Sequence, residues 1–206
     1  MLEDALIIVG GYLVGSIPFG VVVVRIFRGE DIREQGSGNI GASNVWRSYG
    51  RRLGVPVALL DVAKGFVPAY VGLRVGGEWV GVLTGSAAML GHARPIWLGF
   101  TKGGKMVATG GGVALALAPV PAGLCLLIWI ATFVLFRYAS LASIVAACAL
   151  PILCVVIGEP WPTVGFAAVA GLAVVLLHRQ NIGRLLHGTE SRFSRSADQS
   201  AKSLFR

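Results

Sequence analysis

Apolar residues along this chain come in long runs separated by short polar connections, a pattern of helices apolar all round rather than on one face. Seven runs stand out, at about 5–27, 53–75, 79–98, 107–119, 121–137, 141–158 and 161–177, several of them near the ~20 residues a helix needs to cross a bilayer. The fourth is short and rich in glycine (Gly110, Gly111, Gly112). The pattern predicts an all-α integral membrane protein with seven transmembrane helices. Only the connection at about 28–52 and the stretch after His178 are long enough to carry extended polar structure.

Composition supports the same class. The chain has 206 residues, 55% of them hydrophobic and 14% charged, with a mean hydropathy of +0.74, more apolar than a soluble domain of this size. Residues 1–193 read as a single membrane domain, and 194–206, poor in apolar residues, as a disordered basic cytoplasmic tail. The start, Met1-Leu2-Glu3-Asp4, lacks the basic region and cleavage site of a signal peptide, so the first run is expected to stay as the first span.

Cations occupy alternate connections. Arg25, Arg28, Arg33, Arg47, Arg51 and Arg52 follow the first run; Arg94, Lys102 and Lys105 follow the third; Arg137 follows the fifth; Arg179, Arg184 and Arg192 follow the seventh. The positive-inside rule then puts the N-terminus outside, the C-terminus in the cytoplasm and the long polar connections on the cytoplasmic face of the membrane. The formal charge of +8 is thereby mostly topological. A nucleic-acid partner is excluded, for want of a folded polar surface to bear the charge, while anionic membrane lipids are expected neighbours. Cys125, Cys148 and Cys154 all fall inside predicted spans and read as small apolar residues, with no disulfide framework or metal ligation.

Three polar constellations carry candidate chemistry. In Gly36-Ser37-Gly38-Asn39-Ile40-Gly41-Ala42-Ser43-Asn44-Val45-Trp46-Arg47, three glycines permit close backbone approach, two hydroxyls and two amides offer neutral donors, and Arg47 adds a cationic fork. That inventory suits a phosphate; it also suits an ordinary turn-rich loop. The second, Gly99 to Thr109, almost spells a P-loop, but Met106 stands where magnesium would need Ser or Thr, and no nucleotide-binding fold surrounds it. Nucleotide hydrolysis is rejected, which leaves Lys102, Gly103, Gly104 and Lys105 as an anion cradle or as headgroup anchors. In the third, His178 to Glu190, His178 and Asn181 lie one helical turn apart, and His178 suits a base or a positioning group. Glu190 is expected to pair with a neighbouring arginine.

Within the spans, Asp61 and Lys64 are three residues apart and are expected to neutralise each other inside the bundle as a structural pair. Ser140 and Ser143 open the sixth span, as anion contacts or as helix caps. His92 and His187 have no visible partner. No His-x-x-x-x-Asp occurs, no carboxylate cluster suits magnesium, and no His/Cys group has metal-ligand spacing, so neither metal nor cofactor is expected. Group transfer with phosphate held by Arg, Lys and backbone donors fits best. The competing class is a transporter or binding protein for an anionic phosphate metabolite or lipid, which would share the basic loops and Gly-rich helices. Against it stand the absence of a repeat pair and the gathering of anion ligands at one face.

Three segments, Gly36 to Arg47, Gly91-His92 through Thr109 and His178 to Glu190, resemble those of the bacterial acyl-phosphate:glycerol-3-phosphate acyltransferases, the PlsY family. Gly15 to Gly20, Asp61 to Gly65 and Ser140 to Ser143 fall in order among them, so the likeness covers the chain to about Phe193. The resemblance implies transfer of an acyl group from acyl phosphate to the sn-1 hydroxyl of glycerol 3-phosphate, giving lysophosphatidic acid. By motif position it implies that Ser37 and Arg47 are essential and that Gly38, Asn39, Ser43 and Asn44 shape the same site. It further implies that Lys102, Gly103, Gly104 and Lys105 cradle the glycerol-3-phosphate phosphate, that His178 and Asn181 line the reacting centre, and that Glu190 secures the tail. Three departures stand out: Ser43 where Thr is usual, Met106 where glycine is usual, and Thr101 as an extra residue.

Overall fold

Pro18 interrupts the first apolar run, because it has no amide proton to continue a helix. In a computed structural model, which describes residues 1–193, the run divides into α1 (Leu2–Gly15) and α2 (Phe19–Arg28). The break exposes the Ile17 carbonyl, and Lys64 Nζ donates to it at 2.8 Å. Asp61 Oδ1 lies 2.8 Å from the same Nζ, with both side chains 2% exposed. The expected ion pair is therefore present, and its lysine gives the Ile17 carbonyl, which also accepts from Phe19 N at 3.1 Å, a second donor at the helix break.

The chain next forms α3 (Ala42–Tyr49) and the 43-residue α4 (Arg51–Ala93). At Gly77, φ 75° and ψ −168° open a conformation available to glycine alone, and α4 folds back there. Its two arms pack so closely that a Cβ on Gly85 would lie 3.1 Å from that of Ala69. Helix α1 runs beside the second arm, and α5 (Val107–Leu117) beside the first. Small residues allow these approaches: a Cβ on Gly11 would meet Thr84, and one on Gly112 the Val62 carbonyl. Three further helices complete the bundle, α6 (Pro119–Phe136), α7 (Ala139–Ile157) and α8 (Trp161–Leu177), and the short α9 (Arg179–Leu186) bends 58° away from α8.

Among the described residues, four helical stretches are long and apolar enough to cross a membrane, or five if α8 and α9 form one span. That reckoning takes α4 as one stretch although Gly77 turns it back, and leaves out α5, at 11 residues. The expected segments thus recur as helices, with two amendments: the first is split at Pro18, and the second and third are arms of one broken helix. The expected tail, 194–206, lies outside the described residues.

The polar connections gather at one end of the bundle. Phe193 N donates to Arg137 O at 2.9 Å, Trp46 and Phe193 rings meet at 5.8 Å, and Asn39 Nδ2 reaches Gly103 O at 3.3 Å. At the other end Glu78 accepts a hydrogen bond from Thr163, and Trp79 packs edge-on against Trp161.

Candidate active site

The loop before α3 is shaped by one side chain. Asn44, 2% exposed, accepts from Ser37 N at 3.0 Å and donates to Gln35 O at 3.0 Å and Asn39 O at 2.9 Å. Asn39 accepts from Gly41 N at 2.9 Å and ties the loop to Gly103. Gly36 and Gly38 take positive φ, 56° and 69°, and complete the turn. The loop leaves Ser37 and Ser43 exposed on the wall of an open cleft of about 440 Å³, which Arg47 also lines one turn along α3. Asn44, expected at the substrate, has its amide committed to backbone partners and acts as the loop's internal brace.

Lys105 enters from the second polar loop. Its Nζ donates to Asn181 Oδ1 at 2.6 Å, and Asn181 Nδ2 donates to Glu190 Oε1 at 2.6 Å. Glu190 also accepts from Ser140 Oγ at 2.7 Å and Arg184 Nε at 2.6 Å. Burial pushes this carboxyl upward, but the hydrogen bonds from Ser140, Asn181 and Arg184 outweigh it and hold it below the usual carboxylate range. Glu190 therefore stays ionised as the hub joining α7, α9 and the second loop, paired with an arginine as expected. His178, 3% exposed, lies at the bend between α8 and α9 with Nδ1 2.8 Å from Val174 O. A carbonyl can only accept, so Nδ1 carries the proton; burial lowers the pKa of the ring to about 4, so it is neutral near pH 7 with a lone pair on Nε2.

The geometry bears on three groups of expected substrate contacts, of which Ser140 and Ser143 line the cleft. The N–H groups of Gly103 and Gly104 already bond to Ala93 O at 2.9 Å and His92 O at 3.0 Å, so both donors have backbone partners. Both glycines are buried, and a Cβ on either would strike residues 92–95. Lys102 is exposed and stands off the cleft wall, unlike Lys105. Ser140 donates its proton to Glu190 and Ser143 donates its own to Ala139 O at 2.7 Å, so neither hydroxyl has a proton left for phosphate.

Among the described residues, Arg47 and Lys105 are the arginine and lysine lining the cleft. Arg47 makes no ion pair among the described residues and lies 5.6 Å from the Phe193 ring centre. Burial lowers the pKa of Lys105 to about 8; Glu190 opposes the shift, while Arg184, Arg47 and Lys102 add to it. From the cations the cleft continues as an apolar groove between α5, α6, α7 and α8, past Gly111, Ala114, Gly123, Ala146 and Leu150.

His92 and Asp61 also line the cleft, a position for which the sequence offered little signal. Gly91-His92 stands at the head of the second motif, but no spacing rule connects His92 with Asp61 on the other arm of α4. Met106 has φ 66°, the left-handed region that costs a non-glycine residue roughly 1–2 kcal/mol. A glycine at this position would adopt it freely.

Two cations above an apolar groove, in an all-helical bundle with membrane-length spans, have the chemistry of a membrane-protein site suited to an anionic headgroup with an alkyl chain. Residues 5–188 match the family model described as glycerol-3-phosphate acyltransferase. Over 190 residues the chain is 43% identical to a glycerol-3-phosphate acyltransferase of Desulforamulus reducens, covering 92% of this chain and 94% of that one. With its Aquifex aeolicus counterpart it shares 44% over 194 residues, 93% of this chain and all of the other. It is also similar to the crystal structure of PlsY (YgiH), an integral membrane glycerol 3-phosphate acyltransferase, in its glycerol 3-phosphate form. The TM-score is 0.89 at 41% identity, over 99% of this chain and 100% of that one. The lysophosphatidic acid form of PlsY gives 0.87 over 93% and 96%. The chain belongs to the glycerol-3-phosphate acyltransferase family of the PlsY type.

Proposed function

We propose that this protein transfers a fatty acyl group from acyl phosphate to the sn-1 hydroxyl of glycerol 3-phosphate, at a cytoplasm-facing site in a bacterial inner membrane. The products are lysophosphatidic acid and inorganic phosphate, and the reaction opens phospholipid synthesis. The observation that carries the reading is the continuity of one cleft from Arg47 and Lys105 to an apolar groove. Both substrates bear phosphate and one bears an acyl chain, so each part of the cleft has a counterpart. The groove also favours an acyltransferase over a carrier of small phosphate metabolites.

The topology that goes with this function has seven helical passes, the N-terminus outside and the C-terminus inside. It is supported by the Gly77 turn, the basic alternate connections and the gathering of polar loops at one end. Helix α5, about 16 Å long, reaches half the hydrocarbon core, and as an inner helix it need not meet both faces.

In the reaction the sn-1 oxygen bonds to the acyl carbon, the bond from that carbon to the phosphate oxygen breaks, and phosphate leaves with the electron pair. Acyl phosphate is already activated, so the protein's task is to hold two anions together in reacting geometry, a contribution of up to roughly 7–11 kcal/mol. Arg47 and Lys105 offset their repulsion, the exposed Ser37 hydroxyl faces the same space, and Nε2 of His178 receives the hydroxyl proton. Asn181 holds Lys105 in place.

Supplying purified protein in mild detergent with glycerol 3-phosphate and either palmitoyl phosphate or palmitoyl-CoA tests the reaction and the donor together. Lysophosphatidic acid from the phosphate alone is the expected result. Product from CoA alone would replace the donor, and no product from either would remove the reading.

Two further outcomes are expected. Above pH 8 Lys105 loses its proton, whereas the phosphate of glycerol 3-phosphate is a dianion throughout this range, its second pKa being about 6. KM for glycerol 3-phosphate is therefore nearly flat between about pH 7 and 7.5 and rises between about pH 8 and 9; Lys105→Arg, which does not deprotonate, removes the rise. A second experiment concerns the groove. Gly111 lines it with open space beside its Cα, so Gly111→Leu blocks it without hurting a helix. The acyl chain arrives from lipid rather than water, so the groove gains packing and not the full ~0.8 kcal/mol per methylene. The ratio of kcat/KM for palmitoyl to octanoyl phosphate is expected to fall about tenfold.

A further inference from the structure

The buried ionisable cluster beneath the cleft has no part in the chemistry above, yet it ends against the loop that presents Lys105. Lys64 bonds to the carbonyl freed at Pro18, Asp61 pairs with Lys64, and His92 Nδ1 lies 3.7 Å from Asp61 Oδ1, beyond hydrogen-bond length. The His92 ring is 3% exposed, and its Nε2 edge faces Gly104. A Cβ built on Gly104 would have as its three nearest neighbours Nε2, Cε1 and Cδ2 of that ring, all closer than any real contact allows. The backbone is clamped at the same place, by bonds from Gly103 N to Ala93 O and from Gly104 N to His92 O.

We propose that His92 is a positioning residue for glycerol 3-phosphate: its imidazole is the floor against which Gly104 seats, and this seat sets where Lys105 projects into the cleft. With Gly104 against its edge, the ring is too confined to act as the base. The Asp61–Lys64 pair keeps it from withdrawing, so Gly104 has no side chain because the ring occupies that space. The proposal rests on Lys105 being a ligand of glycerol 3-phosphate.

Kinetics of paired variants test it. Gly104→Ala is expected to raise KM for glycerol 3-phosphate about tenfold, with kcat within about threefold and KM for palmitoyl phosphate unchanged, a split that general damage to the fold would not produce. Adding His92→Ala removes all three clashing atoms, and KM returns to within about threefold of the His92→Ala value. Gly103→Ala serves as the contrast. Its Cβ would meet the His92 carbonyl and Pro95 Cδ, so His92→Ala gives it no relief. If His92→Ala yields no folded protein, His92→Asn paired with Gly104→Ala asks the same question, because asparagine keeps a polar atom towards Asp61 and ends short of Nε2.

A normal KM in Gly104→Ala, additive effects in the double variant, or equal rescue of Gly103→Ala would each overturn the assignment. Wild-type protein run alongside separates the two readings. Active wild type without coupling removes only the role of His92, whereas wild type that makes no lysophosphatidic acid removes the acyltransferase reading and this role with it.

Discussion

Replacing Arg47 by Ala is expected to lower kcat/KM about 10³-fold while leaving the unfolding temperature unchanged or slightly raised. The guanidinium lies at the cleft with no carboxylate partner among the described residues, and burial lowers its pKa first, with Glu190 opposing. A half-buried cation in that state lowers stability, and it is retained where an anion completes it. Removing one preorganised donor to a developing charge costs about 10²–10³ in rate, and loss of a full charge beside two phosphates belongs at the upper end. Arg47→Lys keeps the charge but loses the fork, so at least tenfold of the loss should remain. Steady-state kinetics with thermal unfolding in detergent measures both quantities. An activity loss matched by an equal loss of stability would refute Arg47 as a substrate ligand.

Glu190→Ala should show the opposite signature, loss of stability and activity together. The carboxylate accepts from Ser140, Asn181 and Arg184, and its removal leaves the first two as buried donors without an acceptor. Arg184, 41% exposed, can turn to water, so its share is small. The expected cost is about 2–4 kcal/mol, read as a drop of roughly 10 °C in unfolding temperature. Activity falls about 10²-fold as well, because Asn181 no longer holds Lys105. Stability retained in this variant would show that the hub is dispensable.

These variants separate what can be read along the chain from what requires its folded form. Uninterrupted apolar runs specify helices in a membrane, since no other open structure satisfies its backbone in lipid. The candidate segments were equally legible: turn-forming glycines and asparagines beside Arg47, lysines among glycines, and a histidine one turn from an asparagine have few uses inside a greasy protein. The Asp61–Lys64 pair follows from helical periodicity and the cost of burying a lone charge.

Tertiary structure decided the division of labour. Whether Asn44, Ser140 and Ser143 face a ligand depends on which acceptors stand nearby, and those come from loops and helices distant in sequence. Gly103 and Gly104 resemble an anion cradle by composition, but their N–H groups pair with the end of α4, and what excludes a Cβ is the His92 ring. The surroundings of His92 were not legible, because its neighbours Asp61 and Gly104 lie on opposite sides of it in sequence and are brought together only once α4 turns back at Gly77. By itself the sequence determined the class, the helical segments and the three polar motifs, because periodicity and residue chemistry are local. Which polar atoms remain available to a substrate was settled only by packing, because a hydrogen bond is used up by whichever partner the fold brings first.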